Sequence, residues 1–469
     1  MRTTCHPLLL AVLLAGCASE PDASSSSSVR VTAAARPSAT ASASAAPSAS
    51  AAALPIDSGP PVCARANRKV WGAGASKLTG LTTKKIGDSI AIGFAFGLEP
   101  RVLVIDKAGN AQLLEVKVGD KAKPPSAKEG FRSLLRVTPM SIEGEQARVF
   151  LDYRDDLQHK HRHVSCGPAD GSAEFLSFDG TSWLDLEPKP NGADKKKLFS
   201  AKKLGGYVEL RDCRTFVTMQ SNEVWALGSV LRGSEKADGS NEWKMELVVD
   251  FGKSDEELVL HEAPLKGDPP KLATFEIPTS RRAGDKGFLV ATRFGGALMV
   301  GVLDPAHKLR GSFKSYPGFP TMPDIGSNKE ELILTTGIGW GADKTLKALV
   351  VPRDTLELPE RYVELGVKPA ESGGTETSFT APELSVDPKG QRWLAYVEGP
   401  KDKGKLRIVP LGKELHPAGR AFSVTEGDAS SSEARVVALD DGRLMVAYFR
   451  ELDGKVELLT EQLSCDVKR

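Results

Sequence analysis

The sequence predicts an all-β protein built from repeated antiparallel meanders. The clearest meander is residues 434–465, where three apolar runs are separated by Asp441-Gly442 and Asp453-Gly454. Asp-Gly favours the positive φ that tight hairpin turns need, and the flanking runs are rich in residues that favour strands. The chain also has 45 Gly and 30 Pro in 469 residues, which fits frequent reversals, and no convincing amphipathic helical pattern.

The first element in chain order, residues 1–16, has the pattern of an export signal. Arg2 is followed by an apolar run at residues 8–14, which is too short to span a bilayer as a helix of ~20 residues. The segment ends in Leu14-Ala15-Gly16-Cys17, which resembles the bacterial lipobox. The resemblance implies cleavage before Cys17 and a lipid on its sulfur, which would anchor the exported protein to a membrane. No Asp follows Cys17 at the next two positions, and by resemblance to enterobacterial sorting this points to the outer membrane.

Residues 17–61 are mostly Ala, Ser and Pro. Such a segment has almost no large apolar side chains to bury, so it is expected to be a disordered linker. As a flexible coil it would span about 35 Å, holding the folded part away from the membrane.

Residues 62–469 have the composition of a folded domain. In order, the predicted strands lie at residues 68–71, 89–96, 101–105, 111–118, 147–153, 159–165, 207–210, 215–219, 223–231, 243–251, 287–292, 297–303, 331–336, 345–351, 391–397 and 405–411, followed by the meander at 434–465; a hairpin is predicted at 175–186.

Pairs of these strands repeat. Residues 288–292, 393–397 and 444–448 are alike, each an apolar run with a central small residue, and each precedes a turn and a second apolar strand. The folded part therefore resembles a β-propeller, a ring of antiparallel meander blades. We expect about seven blades, and six or eight also fit. The alternative is a pair of β-sandwich domains with a break near residues 264–278.

Four cysteines, Cys63, Cys166, Cys213 and Cys465, remain in the folded part. An even number in an exported protein predicts disulfides, although the sequence alone allows three pairings. Cys63 and Cys465 lie at the two ends of the folded region, which would be neighbours in a closed ring. A bridge between them would stabilise the protein by about 4–5 kcal/mol or more in the chain-entropy model. Cys166–Cys213 would then tie adjacent units, and free buried thiols remain the other possibility.

The densest cluster of histidines is His159, His161 and His163. On a strand these alternate residues share one face, ~7 Å apart, so two neighbours could bind a divalent metal ion. The competing interpretation is a solvated edge strand whose charged side chains oppose aggregation. No other cofactor is predicted.

The sequence excludes several kinds of function. Lys and Arg number 62 and Asp and Glu 61, so there is no basic excess for nucleic acid. The motifs GxSxG, HExxH and GxxxxGK[ST] are absent. Without a catalytic motif, we expect a monomeric, membrane-tethered, non-catalytic lipoprotein that binds a protein or polysaccharide of the cell envelope.

The alternative function is an exported hydrolase or lyase that acts on glycans. Two or three carboxylates converging with Arg or His in the central channel would favour the enzyme, and a channel of small or apolar residues would favour the binding protein. A purely structural envelope component would show neither.

Overall fold

The computed structural model describes residues 63–74, 80–97, 99–119, 132–155, 164–170, 177–178, 207–218, 223–250, 257–267, 273–321, 323–339, 344–367, 380–399 and 403–465. These residues form strands, turns and isolated bridges, without a helix. Accordingly, no helix within them is long and apolar enough to cross a membrane. The predicted signal segment, Cys17, the linker and the three histidines of the His159 row all lie outside the described residues.

The described strands form seven four-stranded units, which we call blades 1 to 7. Blade 1 contains β2 (Thr82–Ile86), β3 (Ser89–Phe96), β4 (Glu99–Ile105) and β5 (Ala111–Val116); blade 2 contains β6 (Arg132–Glu143), β7 (Gln146–Asp155), β8 (Val164–Pro168) and β9 (Ser177–Phe178); blade 3 contains β10 (Tyr207–Thr218), β11 (Glu223–Glu235), β12 (Asn241–Asp250) and β13 (Glu257–Leu265). Blade 4 contains β14 (Glu276–Arg282), β15 (Phe288–Phe294), β16 (Ala297–Leu303) and β17 (Lys314–Pro317); blade 5 contains β18 (Asp324–Ser327), β19 (Glu331–Ile338), β20 (Thr345–Pro352) and β21 (Val363–Glu364); blade 6 contains β22 (Thr380–Val386), β23 (Arg392–Glu398), β24 (Lys405–Leu411) and β25 (Phe422–Ser423). Blade 7 contains β26 (Ala434–Ala438), β27 (Leu444–Leu452), β28 (Lys455–Cys465) and β1 (Cys63–Gly74).

Blades 1 and 2 share one continuous hydrogen-bonded sheet. Their strands are joined by a short parallel pairing of β5 with β7, Glu115 opposite Gln146 and Val116 opposite Ala147, and an isolated parallel bridge joins Gly80 to Arg136. All other pairings in both blades are antiparallel, as in the remaining five blades. The sheet is therefore two blades in contact, and the prediction of an all-β ring of seven blades is confirmed.

Seven apolar clusters lie between neighbouring blades. Representative pairs across the junctions are Phe94 with Phe449, Val102 with Val149, Cys166 with Leu210, Trp225 with Phe288, Leu289 with Leu334, Ile333 with Leu394, and Trp393 with Tyr448. Each blade contributes to two clusters, so the ring closes without a gap. The cluster containing Trp225 and Phe288 spans the region of residues 264–278, which rules out the alternative of two separate sandwiches.

The last blade closes the ring with the first strand. β1 pairs antiparallel with β28, and Cys63 lies opposite Cys465. The two residues form a disulfide, with Cα atoms 3.9 Å apart, across 402 residues of sequence. This disulfide, which we call the clasp, confirms the predicted bridge between Cys63 and Cys465. The meander predicted at 434–465 is also confirmed as β26 to β28, with positive φ at Gly442, Asp453 and Gly454.

Candidate functional site

The first strands of the blades surround a central cavity of about 360 Å³. β2, β6, β10, β14, β18 and β26 all contribute side chains to its wall. Most of the charged residues among them are cations: Lys84, Lys85, Arg214, Arg281, Arg282, Arg353 and Arg435, against the single acid Asp324. The cavity therefore favours an anionic ligand.

Arg435, on β26, is the most heavily bonded cation of the wall. One of its terminal nitrogens lies 2.9 Å from the Glu433 carboxylate and donates to the carbonyl of Leu81 in blade 1. The other lies 3.5 Å from the Glu383 carboxylate in blade 6. One guanidinium thus joins three blades and holds two acids beside the channel.

Glu383 is a buried carboxyl, with 8% of its surface exposed. It accepts a hydrogen bond of 3.2 Å from the backbone N–H of Val436. Burial raises the pKa of Glu383 to about 8, against the opposing effect of Arg435, and the negative charge of Asp324 adds to the rise. At neutral pH this carboxyl is therefore mostly protonated. Burial also raises the pKa of Glu433, which Arg435 partly counteracts.

Arg214, on β10, belongs to the same group of charges. Burial, together with the positive charges of Arg136 and Arg435, lowers the pKa of Arg214 to about 10. Its guanidinium carbon lies 5.6 Å from the centre of the Phe216 ring, and Nη1 donates to the carbonyl of Pro278 at 3.4 Å. The Arg214 guanidinium therefore contacts the Phe216 ring and the backbone of blade 4.

Four side chains of the first strands donate to a backbone carbonyl of the next blade. Arg435 donates to Leu81, Thr82 to Val137, Arg136 to Cys213 at 3.1 Å, and Arg214 to Pro278. In this order, the four bonds link blade 7 to blade 1, blade 1 to blade 2, blade 2 to blade 3 and blade 3 to blade 4. The arginines therefore have a structural role whether or not a ligand binds.

The wall also offers groups with unused hydrogen-bonding capacity. Thr138 Oγ1 and Ser280 Oγ line the cavity and have no hydrogen-bond partner within the described part of the chain. Lys84 Nζ donates to the carbonyl of Met140 at 3.0 Å, and burial lowers the pKa of Lys84 to about 8. A lysine with this pKa can act as a base near neutral pH.

Aromatic rings complete the wall. Phe216 and Trp225 stack with ring centres 4.8 Å apart, and Phe288 meets Trp225 at 5.4 Å. Apolar surface beside a few placed polar groups is typical of small-molecule sites. The cavity thus combines cations, hydroxyls and aromatic carbon.

The structure places the other predicted site residues as follows. Cys63 and Cys465 are the clasp described above. Cys166 on β8 and Cys213 on β10 are buried neighbours across blades 2 and 3, but both are free thiols, so the predicted second bridge is not formed in the structure. The metal site at His159, His161 and His163 and the lipid on Cys17 stay predictions.

Sequence reasoning missed the whole channel site. Glu383 and Arg214 are charged residues inside strands, in PELSV and RDCRTFV. A charge at such a position has to find a polar environment within the fold. This was the available signal, but it does not show that residues from blades 3, 6 and 7 would meet.

No known family model matches the chain, and no curated protein sequence matches it. Among solved structures, a mutant of NanB sialidase from Streptococcus pneumoniae has a TM-score of 0.41 at 9% identity, covering 81% of this chain and 83% of that chain. Endo-arabinase from Bacteroides thetaiotaomicron has a TM-score of 0.31 at 16% identity, covering 55% and 94%. The Dos1 propeller has a TM-score of 0.33 at 11% identity, covering 79% and 75%. At these scores the similarities carry no functional argument.

Proposed function

We propose that the protein takes an acidic glycan into its central channel and cleaves it as a hydrolase or lyase. The observation that carries this proposal is the convergence of Arg214 and Arg435 with Asp324, Glu383 and Glu433 beside one cavity. These acids and cations come from blades 3, 5, 6 and 7, and a channel lined by small or apolar side chains would lack them.

The cationic wall suits a sugar that carries a carboxylate. Arg435 and Arg214 would neutralise the carboxylate, and this charge neutralisation stabilises the anion that forms when the neighbouring carbon loses its proton. Lys84, in the same wall, can remove that proton because its pKa is about 8. In this β-elimination, the C–H electrons form a carbon–carbon double bond and the glycosidic C–O bond breaks. The leaving oxygen keeps the electrons of that bond and takes a proton from water. The wall therefore supplies the base and the cations of lyase chemistry.

Hydrolysis would use the carboxyl groups. It requires one carboxyl that donates a proton and a second that acts as a base or nucleophile. Asp324 lines the cavity, whereas Glu383 lies one contact behind the wall, against Arg435, and is mostly protonated at neutral pH. These two are the candidate pair.

A non-catalytic binding protein is the second candidate. The observation that favours it is that Glu383 and Glu433 are both engaged by Arg435, and neither lines the cavity. In that case the acids only position the cation that binds the ligand.

Acidic and neutral glycans offered to the purified full chain separate these candidates. We expect binding and product formation with acidic glycans only, and a lyase product with an ultraviolet absorbance from its new double bond. Lys84→Gln should keep binding but lose at least tenfold in lyase turnover, and wild-type turnover should rise between pH 7 and 9 as Lys84 loses its proton. Lys455→Gln removes an exposed charge of blade 7 outside the cavity and is the matched control.

Each outcome has a distinct meaning. Reducing ends without the absorbance would indicate hydrolysis, and binding without any product would favour the binding protein. If no acidic glycan binds, the proposed function is wrong.

We further propose that the protein is exported and works at the outer membrane, tethered by a lipid on Cys17. Cys17→Ser should remove metabolic labelling with radioactive palmitate and move the protein from the membrane fraction to the soluble fraction. Wild-type protein found unlabelled in the soluble fraction would refute the tether.

A further inference from the structure

A second site lies between blades 2 and 3, apart from the wall of the channel cavity. Asp152 on β7 and Cys166 on β8 are directly opposite one another in the antiparallel pairing, so their side chains share a face. Cys213 comes from β10 of the next blade. One ligand atom from each residue lies within 4.8 Å of the other two, and all three residues are fully buried.

The chemistry of these atoms selects a class of ligand. Two thiols and one carboxylate are donors that zinc and related thiophilic divalent metals prefer. We propose that Asp152, Cys166 and Cys213 bind one zinc-class divalent cation that fastens blade 2 to blade 3.

The charges of the site balance when the metal binds. The two thiols would each release a proton and bind as thiolates, so a divalent cation replaces two protons and the net charge stays the same. Asp152 keeps its negative charge, and the Arg136 guanidinium, 3.8 Å from its carboxylate, keeps the compensating positive charge. No oxidant is needed, because neither sulfur changes its oxidation state.

The surroundings fit a structural metal site. Around the two cysteines lie Leu210, Ala226, Val230 and Val248, an apolar cluster at the blade junction. An apolar shell of this kind limits the access of bulk solvent, and the three protein donors would leave the fourth position of a tetrahedral metal to one water molecule. Arg136 also donates to the carbonyl of Cys213, which fixes the strand that carries the third ligand.

The same residues could instead form a disulfide in an oxidising compartment. Two observations favour the metal. Cys63 and Cys465 are bonded in this structure, whereas Cys166 and Cys213 are free thiols. The carboxylate of Asp152 also lies within 4.8 Å of both sulfurs, which gives a third metal donor that a disulfide would not use.

The full chain, purified without chelators, should contain about one equivalent of zinc by elemental mass spectrometry. After exchange with cobalt(II), it should show the near-ultraviolet charge-transfer absorbance of thiolate ligation. Cys213→Ser should abolish this band, and Asp152→Asn should weaken metal affinity by about tenfold or more. The double variant Cys63→Ser/Cys465→Ser removes the other two cysteines of the folded part and should keep the band.

Two measurements on the wild type need no variant to fold. A chelator should lower the melting temperature, and zinc should restore it, because the metal binds only the folded site. Peptide mapping after thiol trapping should find Cys166 and Cys213 separate. Peptides joined by a disulfide, or a metal-free protein that shows no band with cobalt(II), would overturn the proposal.

Discussion

Arg435 and Glu383 show how buried charges are accommodated beside a propeller channel. Arg435 contacts two carboxylates and two backbone carbonyls, those of Leu81 and Ala434, the latter at 2.8 Å. Removing Glu433, 2.9 Å from the guanidinium, would leave Arg435 buried with less compensation, which is more costly than breaking an exposed pair. At this scale the site is a network, and its members cannot be exchanged singly without effects on folding.

The raised pKa of Glu383 predicts a stability that depends on pH. Folded Glu383 holds its proton up to pH about 8, whereas the unfolded carboxyl loses it near the ordinary glutamate pKa of 4.5. The folded protein therefore binds more protons between these values, and its free energy of unfolding falls as pH rises through that window. Glu383→Gln removes this dependence. We therefore compare the free energies of unfolding of the variant and the wild type in urea. From pH 5 to pH 8.5, this difference should change by about 1–3 kcal/mol in favour of the variant.

The control for this prediction is Glu451→Gln, because Glu451 is exposed at the end of β27. Its difference from wild type should stay nearly constant with pH. A Glu383→Gln difference that is equally constant would show that the carboxyl is ionised in the folded protein at neutral pH.

Among the strands of each blade, the second and third strands were the easiest to predict from the sequence. β16 and β24 match the predicted bounds, and β15, β19, β20 and β23 differ by at most two residues at either end. These strands pack between neighbouring blades, so both faces are apolar and the run is continuous. The sequence shows such runs directly.

The first strands of the blades were mostly missed. β14, β18 and β22 carry Pro, Asp or Glu, which interrupt the apolar pattern; β14 and β18 line the polar cavity, and Glu383 of β22 lies behind it against Arg435. These strands carry much of the candidate site, which is why the strand pattern was predicted better than the function. Pro139 and Pro382 show that even proline is accepted in these strands.

Close packing between strands of different blades predicts the effect of a single methyl group. A Cβ added to Gly93 on β3 would lie 1.8 Å from the backbone oxygen of Val137 on β6. The carbonyl also accepts the hydrogen bond of Thr82, so it cannot move freely. Gly93→Ala should therefore lower the free energy of unfolding by about 1–3 kcal/mol or more, as overpacking does.

Gly412→Ala is the matched control. There the new Cβ would lie 3.7 Å from the oxygen of His416, an ordinary contact. This variant should unfold within about 0.5 kcal/mol of wild type in urea. Equal stability of the two variants would mean that blades 1 and 2 separate more easily than their packing indicates.

At the scale of the whole molecule, the closure of the ring depends on pairing between the two ends of the folded region. The sequence predicted the Cys63–Cys465 bridge and a ring in which the first and last strands meet, but it placed the first strand only at residues 68–71. β1 is longer, Cys63–Gly74, and it is the outer strand of the last blade. No local pattern records a pairing with a strand so distant in sequence.

Three interactions hold this closure in the folded state. β1 pairs with β28 along its length, Arg65 lies 2.6 Å from the buried carboxylate of Glu461, and the disulfide joins the strand ends. The strand pairing and the ion pair survive loss of the disulfide, so Cys63→Ser/Cys465→Ser should still form the ring. The variant loses the constraint that the disulfide places on the unfolded chain.

This constraint sets the size of the expected effect. For a loop of 402 residues, the chain-entropy model gives at most about 6 kcal/mol at 25 °C. We expect the double variant to lose a large part of this in urea unfolding, and wild type unfolded in the presence of a reductant to show the same loss. The reductant should not affect the double variant further, since its clasp is already absent. If wild type unfolds at the same urea concentration with and without reductant, the clasp does not stabilise the ring, and strand pairing alone closes it.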